Sequence, residues 1–362
     1  MVGMWIEKIK INNFRNYEEQ EINLNKNINI FFGENAQGKT NIIEAIFLSS
    51  FGKSFRTNKD IELIRFNEEY ANIEYNFKKS DRDGNIKINI GNKKNIFVNK
   101  IKLKKLSELL GNVNTVIFTP DDIHILKGGP ENRRKFLNIM ISQLRPNYMH
   151  IYSLYSKTLE ERNNYLKKIK LENANSELLE VWDEQLIKYA KIIAEYREEF
   201  IEKIKSKIVE IHNNISGNKE EIKLEYITEC LDQEKLKKLL MERRKLDIIK
   251  GYTTKGIHRD DFNIYLNDKL VTIYGSQGQR RSAMLSLKIS ELQVIHDEIG
   301  ENPILLLDDF MSELDESRRN NFLDNIKDTQ VIITCTDKLL LNKIEGKIFK
   351  VENGICIEEH KE

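Results

Sequence analysis

Proline is scarce in this chain of 362 residues, which holds only Pro120, Pro130, Pro146 and Pro303. Residues 147 to 302 therefore contain none, and so long a stretch without the residue that breaks a helical ladder permits long helices. Cysteine is scarcer still. Cys230, Cys335 and Cys356 stand far apart with no C-x-x-C pair, which excludes a disulfide framework and argues against a zinc site. No apolar run approaches the roughly 18 residues of a membrane span. The start, MVGMWIEKIKI, lacks the apolar core of a secretory signal. The expectation is a protein of the reducing cytoplasm, neither secreted nor membrane-spanning. Charge of one sign is lacking too: 58 Lys+Arg against 57 Asp+Glu leave +1, so contact with nucleic acid would need a local patch.

What is present is a phosphate-binding pattern. Residues Gly33 to Thr40, GENAQGKT, fit G-x-x-x-x-G-K-[ST] and follow the apolar run Ile28 to Phe32. Gly33 and Gly38 let backbone N–H groups turn toward phosphate oxygens, Lys39 supplies a point charge, and Thr40 offers a hydroxyl to Mg²⁺. Asn41 to Leu48 reads as the helix whose N-terminus faces the anion. Gly33, Glu34, Asn35, Ala36, Gln37, Gly38, Lys39 and Thr40 are therefore candidate ATP contacts.

Around this loop, Trp5 to Ile11 and Ile28 to Phe32 are expected to be strands, separated by a polar turn over Asn12 to Tyr17. Alternation from Ala71 to Leu103 predicts an antiparallel meander, with turns at Asp83-Gly84 and Gly91-Asn92. The stretch Lys93 to Lys105 carries six lysines and no acid. Two readings fit it, contact with a phosphate backbone and a solvated strand face. Apolar residues at 3-4 spacing from Tyr148 to Ile169, and again from Trp182 to Ile211, predict an antiparallel helical pair ending at Ser216-Gly217-Asn218. A further helix is expected over Gln233 to Lys250, then strands at Phe262 to Leu266 and Leu270 to Tyr274. Ile304 to Leu307 and Val331 to Thr334 suit buried parallel strands.

Asp308 closes the run ILLLDD, where a carboxylate at a strand end can hold the Mg²⁺ that Thr40 contacts, or can cap the next helix. Asp309 beside it is the candidate for activating water, its short side chain implying slow turnover. Ser276, Gly278 and Gln279 lie in the segment YGSQGQ ahead of a helix, either as a cap or as a second anion-binding helix start. A P-loop, S-x-G-Q, strand-Asp-Asp and S-x-L-D in this order resemble the ABC-type ATPase heads.

The segments NFRNY (13–17), GKSFRT (52–57), FTPDD (118–122), PENRR (130–134), HRDD (258–261) and LDDFMSELD (307–315) narrow this to a resemblance to the RecF family of bacterial recombination-repair proteins, from about Met4 to Asp337. Residues 1 to 3 look like an extra leader before that family's usual start. The resemblance implies an α/β fold: an SMC-like ABC-ATPase head with a P-loop sheet, an antiparallel β lobe and an inserted helical arm. The expected division is 1–125 and 251–362 for the two ATPase lobes and 126–250 for the arm. Also implied are a weak ATPase used as a switch, ATP and Mg²⁺ as cofactors, and an ATP-dependent homodimer. Such a dimer would bind double-stranded and gapped DNA, act with RecO and RecR to load RecA, serve the SOS response, and reside in the cytoplasm.

By position the resemblance gives Asp308 to Mg²⁺, Asp309 to hydrolysis, and Ser276, Gly278, Gln279 and Asp315 to the partner's nucleotide, with Arg15 and Asn16 at the nucleotide's edge. Where ABC heads place a switch histidine this chain has Thr336, and near Thr119 to Asp122 there is no Q-loop glutamine, with Asp121 and Asp122 as possible replacements. Basic residues in or near the matching segments are Lys53, Arg56, Lys100, Lys102, Arg133, Arg134 and Arg259, as contacts to DNA or as partners for carboxylates and nucleotide. The rival readings are a soluble ABC subunit of a transporter, disfavoured by the strand-rich lobe and helical arm, and a small-molecule kinase, which has no use for S-x-G-Q.

Overall fold

Strands β1 (Trp5–Phe14) and β2 (Tyr17–Asn23) form a hairpin whose turn puts Arg15 at φ 55°. Its second arm lay hidden in the sequence, because only Tyr17 and Ile22 mark the buried side of YEEQEIN. With β4 (Ala71–Lys78), β5 (Asp83–Ile90), β6 (Asn95–Val98) and β7 (Ile101–Lys102) they make a six-stranded antiparallel sheet in the order β2-β1-β4-β5-β6-β7. The period-two pattern does what it should: Ile73, Tyr75 and Phe77 face the core, as do Ile86, Ile88 and Ile90. One turn differs from expectation. Asp83-Gly84 lies within β5, and the chain reverses at Lys79 to Arg82, where Lys79 N donates to Arg82 O at 2.8 Å. Gly84 pairs with Phe77, whose ring fills the place of a side chain; a Cβ there would sit 2.2 Å from it.

A second six-stranded sheet has the order β15-β14-β3-β13-β12-β8. Its members are β3 (Ile28–Phe32), β8 (Thr115–Phe118), β12 (Ile304–Asp308), β13 (Val331–Cys335), β14 (Lys347–Glu352) and β15 (Ile355–Glu359). All pairs are parallel except β14 with β15. Every residue of β12 and β13 is buried, as strands covered on both faces should be. Helix α1 (Lys39–Phe51) packs on this sheet, and Tyr75 of the antiparallel sheet donates to its Ala45 carbonyl. So enclosed, α1 is buried nearly all round, and Gly52 ends it at φ 59°.

These sheets belong to one compact unit, residues 1–122 with 288–362; residues 123–287 form another. The computed structural model describes residues 3–309, 322, 328–336 and 346–359.

The second unit opens with α2 (His124–Lys127) and α3 (Pro130–Leu144). Helices α4 (Pro146–Glu172) and α5 (Leu179–Ser216) pack as the expected pair, joined around Leu166, Ile169 and Leu179. The buried Arg162 of α4 binds Asp183 of α5 at 2.7 Å and Asp247 of α6 (Gln233–Lys250) at 2.9 Å, fixing three helices through one guanidinium. A small sheet, β11-β10-β9, combines β9 (Ile222–Ile227), β10 (Asp261–Leu266) and β11 (Lys269–Leu270). The strand expected at Leu270 to Tyr274 ends after its first residue. Val271–Tyr274 is a short helix, α7, whose carbonyls at Val271, Thr272 and Ile273 accept from Arg280. Helix α8 (Gln277–Ile299) follows, its residues up to Leu287 belonging to this unit and those from Lys288 to the first.

Candidate nucleotide-binding site

The loop after β3 is built for close approach. Gly33 N donates to Cys335 O at 3.3 Å, and a Cβ on Gly33 would meet the Val351 carbonyl at 2.2 Å. Gly38 precedes α1 at φ 117°, with Asn16 and the Tyr17 hydroxyl where a side chain would stand. Ala36 holds φ 65°, a left-handed conformation costly for any residue with a Cβ. The loop is held from outside. Tyr17 donates to Gly38 O at 3.0 Å, Asn16 Nδ2 to Gln37 O at 2.8 Å, and Gly354 N to the same carbonyl at 3.1 Å. Glu34, Asn35 and Ala36 lie exposed on its crest. Lys39, itself 3% exposed, arches back to the Gly33 and Glu34 carbonyls at 2.8 and 2.9 Å. An ammonium has three donors, so one N–H remains to meet an anion in the loop.

Parallel pairing sets the acid beside this loop. β13 lies between β3 and β12, so Thr334 is opposite both Phe31 and Asp308. Asp308 Oδ1 accepts from Thr40 Oγ1 at 2.9 Å and from Thr334 Oγ1 at 2.8 Å, while Asp309 N donates to Thr334 Oγ1 at 3.0 Å. Burial raises the Asp308 carboxyl above its ordinary pKa; the two hydroxyls oppose the shift and Asp309 adds to it. Asp309 is at φ 48°, and Thr336 is exposed just past the end of β13. A carboxylate and a hydroxyl sharing one oxygen contact form a hard-oxygen donor set that fits Mg²⁺, which takes few protein ligands beside phosphate and water.

Arg15 flanks the site through a buried acid. Its Nε and Nη2 meet Glu44 of α1 at 2.8 and 2.7 Å, and Nη1 donates to Glu62 O at 2.7 Å. Arg56 Nη1 donates to Asn41 at 2.8 Å and lies 3.3 Å from Glu44, and Ser54 also donates to Glu44. Asn41 Nδ2 reaches Asn16 at 2.8 Å. Arg15, Asn16, Asn41 and Arg56 border a groove of about 690 Å³ that is also lined by Ile61 and Phe66, 66% and 88% exposed. Glu44, Tyr17, Asn41 and Thr334 escaped the sequence reading. Glu44 alone carried a signal, as the one charged residue in the apolar stretch Ile42 to Leu48.

In the second unit, Ser276 and Gln279 form a reciprocal helix cap on α8. Ser276 N donates to Gln279 Oε1 at 2.8 Å, and Gln279 N to Ser276 Oγ at 3.2 Å. The hydroxyl accepts here, leaving its hydrogen for another acceptor; Ser276 and Gly278 are exposed. Asp315 lies outside the described residues.

Among the basic residues, Lys53, Lys100 and Lys102 are exposed in the first unit, whereas Arg56 is engaged as above. Arg133 is 6% exposed and grips Asp261 through two nitrogens at 2.6 and 2.9 Å. Arg134 donates to Asp260 O at 2.8 Å, and Arg259 is exposed over the Tyr252 ring at 5.5 Å. The segment HRDD is largely a clasp: His258 bonds Tyr155 at 2.7 Å, and Asp260 receives Tyr226, Thr228 and Arg197.

Residues 5–356 match the family model of the RecF/RecN/SMC N-terminal domain. A Clostridium tetani protein named DNA replication and repair protein RecF is 45% identical, covering 98% of this chain and 100% of its own length. A protein of the same name from Clostridium perfringens is 44% identical over 97% and 99%. A solved structure of the recombination mediator protein RecF–ATP in the RecFOR pathway superposes with a TM-score of 0.93 at 40% identity, covering 99% and 98%. The Smc head domain of Pyrococcus furiosus superposes at 0.57 and 17% identity over 98% and 96%, a likeness of fold alone.

Proposed function

The chain belongs to the RecF family of the RecF/RecN/SMC heads, and from that footing we propose that it is an ATP-gated, DNA-binding dimer of recombinational repair and replication. The observation that carries the reading is the Thr40–Asp308 contact, which sets a P-loop hydroxyl against a strand-end carboxylate at 2.9 Å. Lys39 and the loop N–H groups hold the β- and γ-phosphates, and Gly33 to Thr40 wrap them. Thr40 and Asp308 would hold Mg²⁺, which when bound would neutralise phosphate charge. Asp309, oriented by Thr334, aligns or deprotonates water, and its short reach makes turnover slow; Thr336 faces the γ-phosphate without a titratable charge. Arg15 and Asn16 border the nucleotide's edge beside the groove.

Half of the site is supplied in trans. Ser276, Gly278 and Gln279 of one subunit meet the γ-phosphate held by its partner, with Asp315 at the seam, so that nucleotide binding drives association and hydrolysis releases it. Exposed Lys53, Lys100, Lys102 and Arg259, with half-buried Arg134, are the candidate DNA contacts, and Arg133 is set aside because its charge is paired in the interior. The proposal extends to a cytoplasmic chain working with RecO and RecR at gapped or double-stranded DNA to load RecA and support the SOS response. Among the described residues no helix is long and apolar enough to cross a membrane. The test is binding of gapped duplex DNA with and without ATP across a salt series. The reading expects ATP to tighten binding in the wild type and not in Lys39→Met, with affinity falling as salt rises. Binding indifferent to ATP contradicts it.

A further inference from the structure

A line of polar contacts within the second unit runs from the end of the long helix α5 to the cap of α8. His212, in the last turns of α5 and fully buried, bonds Ser286 of α8 through Nδ1 at 2.9 Å. Its Nε2 is buried without a hydrogen-bond partner and lies 3.4 Å from Glu220 Oε2. The other carboxylate oxygen, Glu220 Oε1, accepts from Gln279 Nε2 at 2.9 Å. Gln279 in turn uses its side-chain oxygen on Ser276 N and its backbone N–H on Ser276 Oγ. An amide with both ends engaged cannot rotate freely, and while it is fixed the serine hydroxyl oxygen is fixed as an acceptor.

Ser276 N finds its acceptor only while the Gln279 oxygen faces it, and Glu220, by accepting from the amino group at the other end of the same amide, selects that orientation. Glu220 is one-fifth exposed, in the connection between α5 and β9, and His212 stands behind it. The end of a 38-residue helix is thereby joined to the serine that would complete a partner's nucleotide site.

We propose that Glu220 is a positioning residue for the Ser276 loop, so that the register of the helical arm sets how well one subunit closes on the ATP held by another. This rests on the trans role of Ser276 given above. Displacing the end of α5 would move Glu220, release Gln279 and loosen the serine, and the P-loop would still bind its nucleotide.

The substitutions separate orientation from folding. Glu220→Ala removes the acceptor of Gln279. Glu220→Gln keeps it, since the new carbonyl accepts from Gln279 while the new amide N–H donates to the His212 Nε2 lone pair. ATP-driven dimerisation is measured by light scattering over a protein dilution series with Mg²⁺. Affinity of the dilute monomer for a fluorescent ATP analogue and thermal unfolding are measured on the same samples. Expected for Glu220→Ala is dimerisation about tenfold weaker or more, the scale of a hydrogen bond to a charged group, with monomer nucleotide affinity unchanged. Glu220→Gln should dimerise as the wild type does. Glu220→Ala combined with Gln279→Ala should be no worse than Gln279→Ala alone. Wild-type dimerisation by Glu220→Ala, equal losses in the Ala and Gln variants, or additive losses in the double variant would each overturn the assignment. Ser276→Arg separates the two claims. If it fails to dimerise while Glu220→Ala is normal, only the positioning role falls; if it dimerises normally, the trans reading falls and takes the positioning role with it.

Discussion

Thr40 and Asp308, 268 residues apart in sequence, meet through a 2.9 Å hydrogen bond from hydroxyl to carboxylate. Parallel pairing of β3, β13 and β12 makes the meeting unavoidable, because it brings the ends of all three strands to one edge. Asp308→Asn keeps the shape and one acceptor oxygen but removes the charge that would hold Mg²⁺. Phosphate release should fall about a hundredfold or more, while thermal stability changes little; near-normal turnover would remove Asp308 from the metal site.

Lys39 bridges two loop carbonyls and keeps one N–H in reserve. Lys39→Met should weaken ATP binding by roughly 10- to 100-fold, the scale of a charge-assisted contact to phosphate. Titration with a fluorescent analogue measures it.

Glu44 gathers Arg15, Arg56 and Ser54 against the P-loop helix while fully buried itself. Glu44→Gln leaves two guanidinium groups without their anion and should cost roughly 2–3 kcal/mol of stability in the first unit. Denaturant unfolding measures the loss. Nucleotide affinity should fall in the same variant, because Arg56 no longer steadies Asn41.

Burial holds His258 at about 4, below its ordinary 6.5, with nearby arginines adding to the shift and the Thr253 carbonyl opposing it. The native chain therefore takes up this proton only near pH 4, whereas the unfolded chain takes it up near 6.5. The stability linked to His258 is fully present above pH 6.5 and is lost as pH falls toward 4, by on the order of 2–3 kcal/mol. Buried His212, also lowered, acts with the same sign. Thermal unfolding between pH 7.5 and 5 should show a downward slope that is shallower in His258→Asn.

Gly84 faces the Phe77 ring where a Cβ would lie at 2.2 Å. Gly84→Val should destabilise the antiparallel sheet by about 1–3 kcal/mol through overpacking. Calorimetry would show it as a lower transition temperature, and an unchanged one would mean the ring moves aside without cost.

Where local chemistry was strong, the sequence was readable. Glycines and a lysine at fixed spacing announced the loop before α1, continuous apolar runs announced β12 and β13, and 3-4 spacing announced α4 and α5. Illegible were the elements whose signal is long-range. β2 is a charged strand that exists because a neighbour pairs with it, and Leu270 to Tyr274 looked like a strand until Arg280 capped its carbonyls as a helix. A D-G pair at 83–84 suggested a turn, but Gly84 serves an aromatic ring across the sheet. Thr334 acts only through partners that the fold supplies, which no local pattern announces.

Solution mass with and without ATP, for the wild type, Lys39→Met and Ser276→Arg, tests most directly whether the P-loop is half of a shared site. The account predicts an ATP-dependent dimer in the wild type, none in either variant, and retained monomeric nucleotide binding in Ser276→Arg. A Ser276→Arg chain that dimerises with ATP as the wild type does would contradict it.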